Sequence, residues 1–377
     1  MQPPIYLDNN ATTPLAPVVI AAMTAAFEVF GNPSSAHSAG KSAREIVENA
    51  RASVAKLIGA KNPEEIAFTS GGTDSDNWAI LGALESQPGK DHIVTTRVEH
   101  EAVRKLCEKL ESRGSRVSWI DVDEKGRLDL GQLCDALSSK TAVVSVMMAN
   151  NETGVIFPVN EIANIVKANS AAIFHVDAVN AAGKMPINIE HSGIDLLSLS
   201  AHKFHAPKGI GALYIRDGVR LSPIQIGGGQ ERGRRAGTEA VHQIAGLGTA
   251  AELAADLSPM KEICRLRDKL ESSVLQQFDL ASVNGDLGNR LPNTSNISFE
   301  NLNGEMILHY LDEAGICVST GSACNSESKI SSPVLAAMNI PYSKVMGSIR
   351  FSLGRTTIEA EIDQTITALE SIVDRLA

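Results

Sequence analysis

Between about residues 43 and 250, short apolar runs alternate with stretches of helical period. Ile46, Val47, Ala50, Val54, Leu57 and Ile58 recur at the spacing of one helix face, and Gly59 stops it. Ile66 to Thr69 reads as a strand and Trp78 to Leu84 as a helix. Ile93–Thr95 and Val117–Ile120 are further strands. Val143 to Met148 is almost continuously apolar, as expected of a strand buried on both faces. Ile173–Val176, Leu196–Leu199 and Gly211–Ile215 come next. A helix over Ala250–Leu257 ends at Ser258-Pro259, a long charged helix spans Met260–Phe278, and a strand lies near Asn296–Phe299. Alternation of strands and helices predicts an α/β layer with a mostly parallel sheet. The division expected is a large domain over 15–257 and a small α+β domain made of 1–14 with 258–377.

The apolar share of 43% and charged share of 21% argue against disorder, and 377 residues suffice for two or three domains. A net charge of −10 leaves no electrostatic footprint for direct nucleic-acid or anionic-membrane binding. No apolar run reaches the roughly 18 residues of a membrane span. The first residues lack the basic-then-apolar pattern of a secretory signal. The cysteines are 107, 134, 264, 317 and 324: an odd count with no C-x-x-C pair, which favours a reducing cytosol over a disulfide framework or a cysteine-rich zinc site. A cytoplasmic location is expected. Cys107, Cys134, Cys264 and Cys317 sit among apolar neighbours and are expected to be buried and structural.

In a parallel α/β sheet ligands gather at the carboxyl ends of strands, so the residues directly after each strand carry the chemistry. Ser70-Gly71-Gly72-Thr73-Asp74 comes after a strand and opens a helix. It reads as a phosphate cup or as an ordinary turn with Thr73 or Asp74 as cap. A Walker A loop is excluded: Gly40-Lys41-Ser42 has Ser35 where the earlier glycine belongs and no strand before it. No G-x-G-x-x-G occurs. Asn150-Asn151-Glu152-Thr153-Gly154 either presents amides to a ligand or forms a turn. Asp177 ends an apolar strand, where a carboxylate needs a cation or donor; a ligand, a helix cap or an ion pair each satisfies that. Lys203 comes directly after the strand ending at Leu199. It is either a solvated loop lysine or an amine placed to bond an aldehyde cofactor. Pyridoxal phosphate needs an amine for its aldehyde, an anion at its ring nitrogen and a phosphate cup. Lys203, Asp177 and the Gly71-Gly72-Thr73 turn supply those three residue types on successive strands.

With these motifs the chain resembles the cysteine desulfurases, in the NifS/IscS-like branch of the fold-type-I pyridoxal-phosphate enzymes (the class V aminotransferase group). The resemblance covers essentially the whole chain. It is carried by Tyr6-Leu7-Asp8-Asn9-Asn10-Ala11-Thr12-Thr13, Gly31-Asn32-Pro33-Ser34-Ser35-Ala36-His37, Val98-Glu99-His100-Glu101-Ala102-Val103 and Asn150-Asn151-Glu152-Thr153-Gly154. It continues in Ser200-Ala201-His202-Lys203, Arg234-Arg235-Ala236-Gly237-Thr238-Glu239, Ser319-Thr320-Gly321-Ser322-Ala323-Cys324 and Ser348-Ile349-Arg350-Phe351-Ser352.

The resemblance implies that Lys203 carries pyridoxal 5'-phosphate, Asp177 pairs with its ring nitrogen, and His100 stacks on the ring and moves protons. Gly72, Thr73, Ser200, His202 and Thr238 are implied to hold the phosphate, with Thr238 crossing between subunits of a homodimer with shared sites. Asn151 is implied to lie near the cofactor. Arg350 is implied to bind the substrate carboxylate, with Asn32 assisting. Relatives usually carry Gln where this chain has Asn180, one methylene shorter, so its contact with the ring hydroxyl oxygen is either lost, water-mediated or restored by a backbone shift. By composition alone the Gly227–Arg235 stretch reads as a solvated loop.

Cys324 lies in a run of small polar residues, Ser319 to Ser328. Such a run predicts an exposed mobile loop, and an exposed thiol there is a candidate nucleophile. The implied activity is removal of sulfur from L-cysteine, giving L-alanine and a persulfide on Cys324. That sulfur passes to an acceptor protein, an iron–sulfur scaffold or a thiolation enzyme. No metal is expected. The alternatives are a selenocysteine lyase, another class V aminotransferase-type enzyme, or a non-catalytic sulfur-relay protein of the same fold.

Overall fold

The structure is a computed structural model and describes residues 3–320 and 332–376. Cys324, and the loop expected around it, lie outside the described residues.

Strand β1 (Ile5–Tyr6) opens the chain, followed by α1 (Pro17–Phe27) and α2 (Ser38–Ile58). The main sheet comprises β2 (Ile66–Thr69), β3 (His92–Thr96), β4 (Arg116–Ile120), β5 (Thr141–Met147), β6 (Ile173–Asp177), β7 (Leu196–Ser200) and β8 (Gly211–Ile215). Their spatial order is β2-β8-β7-β6-β5-β3-β4. Only β8 runs against its neighbours, so the sheet is mostly parallel as expected. Helices α3 (Gly72–Glu85), α4 (Glu101–Glu111), α5 (Leu130–Ala136) and α6 (Val159–Asn169) are interleaved with these strands. After β8 come α7 (Val241–Ala255) and α8 (Pro259–Gln277), then β9 (Ala281–Val283), β10 (Thr294–Phe299), α9 (Gly304–Glu313) and β11 (Ile316–Cys317). The chain closes with α10 (Pro333–Ala337), α11 (Tyr342–Val345), β12 (Ser348–Ser352) and α12 (Glu359–Leu376). Strands β12, β10 and β9 form an antiparallel sheet, and β1 returns to pair with β11.

Alternation along the strands explains the layers. Val144, Val146, Phe174, Val176, Leu197 and Leu199 face one side and bury against α2 and α7. There α7 approaches closely: a Cβ on Gly248 would meet Ala50 Cβ at 2.6 Å, so glycine is what the contact allows. On the other side Ile93, Val143 and Leu196 lie under Trp78, Ala79, Ile80 and Ala83 of α3. Further along, that same face turns polar, with Thr95, Ser145, His175 and Ser198 all buried. A second core gathers Leu7, Leu266, Leu270, Ile297, Phe299, Ile349, Phe351 and Leu369. Val334, Leu335, Met338 and Val345, late in the chain, pack into the first core.

Two expectations need correction. The helix expected over Ala250–Leu257 is the end of α7, which starts at Val241; Gly246 and Gly248 weaken the sequence signal for a helix that tertiary packing on α2 enforces. Of the four cysteines expected in the core, Cys107 is buried, whereas Cys134, Cys264 and Cys317 are half-buried. Those three sit on elements at the rim of the cores, where one helix or strand face meets solvent.

Candidate active site

A cavity of about 580 Å³ opens where β2, β5, β6 and β7 end. That volume is within the roughly 300–1,000 Å³ of ordinary ligand pockets. Gly72, Thr73, His100, Asn151, Asp177, Asn180, Ser200, His202 and Lys203 all contribute to its lining.

One end of the cavity is the start of α3. Its N-cap is Gly71 at φ 147°, so no side chain caps the helix. The first turn bond runs from Ser75 N–H to Gly71 O, 3.1 Å, which leaves the N–H groups of Gly72, Thr73 and Asp74 unbonded among the described residues. The Asp74 carboxylate does not compete for them. It accepts from Ser70 N–H (2.8 Å) and Ser70 Oγ (3.0 Å) and pairs with Arg235 (3.0 Å). Free N–H groups and a positive dipole end suit a phosphate.

Arg235 belongs to the stretch expected to be a solvated loop; Gly227–Gly229, Arg232 and Gly233 are exposed, and the structure corrects that reading at Glu231. Glu231 is buried, accepts from Phe68 N–H (3.1 Å), and pairs at 2.7 Å with Arg51, which lies over the Phe68 ring. A buried ion pair with full hydrogen bonding pins the stretch against the base of β2.

The opposite end is acidic. Asp177 ends β6 with 5% exposure, and its Oδ1 accepts from Val179 N–H at 2.8 Å. Burial pushes its carboxyl up, while His100 and Lys203 pull it down. His100 caps α4: its Nδ1 accepts from Ala102 N–H at 3.1 Å, so in the neutral ring the proton sits on Nε2. Burial, then Lys203, favours that neutral ring, although Asp177 opposes it. His202 bonds Thr12 Oγ1 at 3.1 Å, and burial pushes its imidazole down to about 4.

Lys203 lies in the turn directly after β7. Its Nζ donates to the carbonyls of Asn10 (2.5 Å) and Ala11 (3.1 Å), so the N-terminal segment forms the wall that holds the amine. Asn180 is committed to the protein at both ends: Oδ1 accepts from Lys184 Nζ (2.8 Å) and Nδ2 donates to Asn150 O (3.1 Å). Lys184 is buried, also donates to Asn10 Oδ1 (3.0 Å), and burial holds its amine well below the usual lysine range.

Three expected site residues lie outside this lining. Arg350 on β12 is buried beside it, donating to Asp8 Oδ1 (2.7 Å) and to Asn151 O (3.1 Å). Its Nε has no acceptor among the described residues. Asn32 is exposed and accepts from Ser34 N–H (2.9 Å). Thr238 is also exposed.

Sequence reading did not single out Asp76 or Lys184 as site residues, nor Asn10 and Ala11 as partners of the lysine. Lys184 stands one helical turn after Asn180, a spacing that could have flagged the pair. The Asn10 and Ala11 contacts use backbone carbonyls, which carry no sequence signal.

The amine, the buried carboxylate and the uncapped helix start around one cavity match the three needs of pyridoxal phosphate. Residues 5–365 match the family described as aminotransferase class-V. The chain is 53% identical over 377 residues to a cysteine desulfurase of Nostoc sp. (strain PCC 7120 / SAG 25.82 / UTEX 2576), covering 99% of this chain and 93% of the relative. A solved NifS-like protein superposes with a TM-score of 0.93 at 39% identity, covering 99% of this chain and 100% of the other. The structure described as SspA in complex with cysteine gives a TM-score of 0.84 at 34% identity, covering 94% of this chain and 100% of that one. The chain belongs to the class-V aminotransferase family and, within it, to the cysteine desulfurases.

Proposed function

We propose that this chain removes sulfur from L-cysteine with pyridoxal 5'-phosphate, releasing L-alanine and keeping the sulfur as a persulfide on Cys324. The observation that carries the reading is the meeting of Lys203, Asp177 and the uncapped start of α3 around one cavity. In net terms, cysteine and the Cys324 thiol give alanine and the Cys324 persulfide. A sulfur–sulfur bond forms, the substrate Cβ–Sγ bond breaks, sulfur is oxidised and carbon reduced, and no outside oxidant enters.

When bound, pyridoxal phosphate supplies an aldehyde and an electron sink that makes an amino acid's Cα proton removable. The residues do the rest. The N–H groups of Gly72 and Thr73, with Ser200 and His202, would hold the phosphate. Asp177 would sit at the ring nitrogen and favour its protonated form, since a buried anion needs a cation there. His100, with its proton on Nε2, would lie against the ring. Lys203 would bond the aldehyde carbon, and its free amine would take the Cα proton. Cys324 attacks as the thiolate. Asn151 and Asn180 would border the ring, with Asn180 Oδ1 held by the Lys184 amine (2.8 Å) in place of the longer reach of glutamine.

The domain division at 257/258 and the shared homodimer site belong to the same reading. Val18, Ile20, Phe27, Phe30 and Ile226 are exposed apolar side chains, and Thr238 is exposed on the same chain to serve the phosphate of a second copy. The acceptor is an iron–sulfur scaffold or a thiolation enzyme, and the location is cytoplasmic. No helix among the described residues is long and apolar enough to cross a membrane.

Incubating the purified protein with L-cysteine should give alanine and a mass gain of one sulfur atom on the peptide holding Cys324. Alanine without that gain would overturn the role of Cys324. No alanine from a protein that has taken up the cofactor would overturn the activity.

Arg350, with Asn32 assisting, binds the substrate carboxylate by its fork of donors. Arg350→Lys keeps the charge and loses the fork. Its KM for cysteine should rise about 10- to 100-fold, the worth of one hydrogen bond to a charged group. A KM within twofold of the parent in steady-state assays would remove Arg350 from substrate binding.

A further inference from the structure

One buried amine reaches the cavity only through other side chains. Lys184 is 7% exposed, and its Nζ donates to two side-chain amides, Asn180 Oδ1 (2.8 Å) and Asn10 Oδ1 (3.0 Å), rather than to a carboxylate. Lys203 and Arg350 add like charge to it. An apolar side chain would cost less in such a place, so the donors of this amine need a reason.

The bonds around Asn10 show one end of the arrangement. Its Oδ1 accepts from Lys184 and from Asn293 Nδ2 (3.1 Å). Its Nδ2 donates to Thr294 Oγ1 (2.9 Å) and to Asn151 O (3.1 Å). Both lone pairs and both hydrogens of that amide are thus in use, so Asn10 is a fixed point. Its backbone carbonyl is the one that accepts from Lys203 Nζ at 2.5 Å.

Asn180 is the other end, and it lines the cavity. Its Nδ2 donates to Asn150 O at 3.1 Å. A backbone carbonyl only accepts, so the nitrogen must face it and the oxygen must face the amine; chemistry, not choice, sets which way this amide lies. One hydrogen of Nδ2 goes to Asn150, and the other has no acceptor among the described residues. What Asn180 has to spare for a ligand is therefore a donor.

We infer that Lys184 is a positioning residue: braced on Asn10, its Nζ holds Oδ1 of Asn180 so that the spare Nδ2 hydrogen is kept for the ring oxygen of the cofactor. This rests on the cofactor reading given above. A donor at that oxygen favours its anionic form, because hydrogen bonds to charged acceptors are the stronger ones.

A double-mutant cycle tests it, read by the pH titration of the bound cofactor's visible absorbance. Asn180→Ala and Lys184→Met should each raise the proton affinity of the chromophore about tenfold, the loss of one hydrogen bond to a charged group. The double variant should also shift it about tenfold, not a hundredfold, because the second change removes a bond that the first has already broken. Lys184→Arg keeps a donor and should stay within about twofold of the parent. A hundredfold shift in the double variant, no shift in Lys184→Met, or a shift in Lys184→Arg as large as that of Lys184→Met overturns the proposal. A second measurement needs no Lys184 variant. In the chain labelled with 15N-asparagine, the Nδ2 proton pair that Asn180→Ala removes should have one member move downfield when pyridoxal 5'-phosphate is added. A pair that stays in place overturns the proposal even if the Lys184 variants fail to fold. If Asn180→Ala moves the titration while Lys184→Met does not, only the Lys184 inference falls; if the purified chain takes up no cofactor, the reading beneath it falls as well.

Discussion

Cys324→Ser is expected to lower sulfur release from cysteine by at least ~10³-fold while leaving cofactor uptake intact. Serine oxygen is a poor nucleophile toward sulfur at neutral pH, because its hydroxyl stays protonated where a thiol ionises in part. The residues proposed to labilise the Cα proton, Lys203 and Asp177, are untouched. The variant should therefore still exchange the Cα proton of cysteine with deuterium oxide, read by NMR, and form no alanine. On either side of the residues outside the description, the chain is tied near the cavity. Ser319 exchanges backbone bonds with Arg350 (3.2 and 2.6 Å), and Ser332 Oγ bonds Glu152, the neighbour of Asn151. Both roots thus stand beside the cavity. Alanine formation at the parent rate would refute the assignment of Cys324.

Lys203→Ala should be more severe at an earlier step. On the proposed mechanism it removes the covalent attachment and the base together, so turnover should fall by at least ~10⁴-fold, the upper range for a single acid–base group. Borohydride treatment should trap no cofactor mass on the variant, whereas the parent should gain it at residue 203. The fold should survive, since the Lys203 side chain bonds the carbonyls of Asn10 and Ala11 and fills no core. Turnover within tenfold of the parent would mean that another amine, with the buried Lys184 as the obvious candidate, serves as base.

The architecture was readable because this sheet is buried on both faces. Almost continuous apolar runs such as Val143–Met147 fit that setting, and parallel strands bring their carboxyl ends to one rim. Lys203, Asp177 and Gly72 were readable for the same reason, since each ends a strand or comes soon after one. Asp76 was not. An acid in the early turns of a helix ordinarily complements the dipole in water. Only the seating of α3 over Ser198 and His175 buries it. The polar breaks in the strands, Ser145, His175 and Ser198, are visible in the chain. Their alignment depends on register between positions 30 and 23 residues apart, which no local pattern encodes. Arg350 shows the same limit: its residue type suggested carboxylate binding, while its pairing with Asp8 and Asn151 joins the two ends of the chain.

By itself the sequence determined the α/β layering with its mostly parallel sheet, the strand ends where candidate chemistry lies and, through its motifs, the family, because these arise from local period and residue type. The tertiary structure alone decided which polar groups are buried at the site and what they meet: the uncapped start of α3, the amine of Lys203 held by two carbonyls, and the buried carboxyls of Asp76 and Asp177. Protonation in a dry site depends on every neighbour within a few ångströms, and those neighbours come from distant parts of the chain.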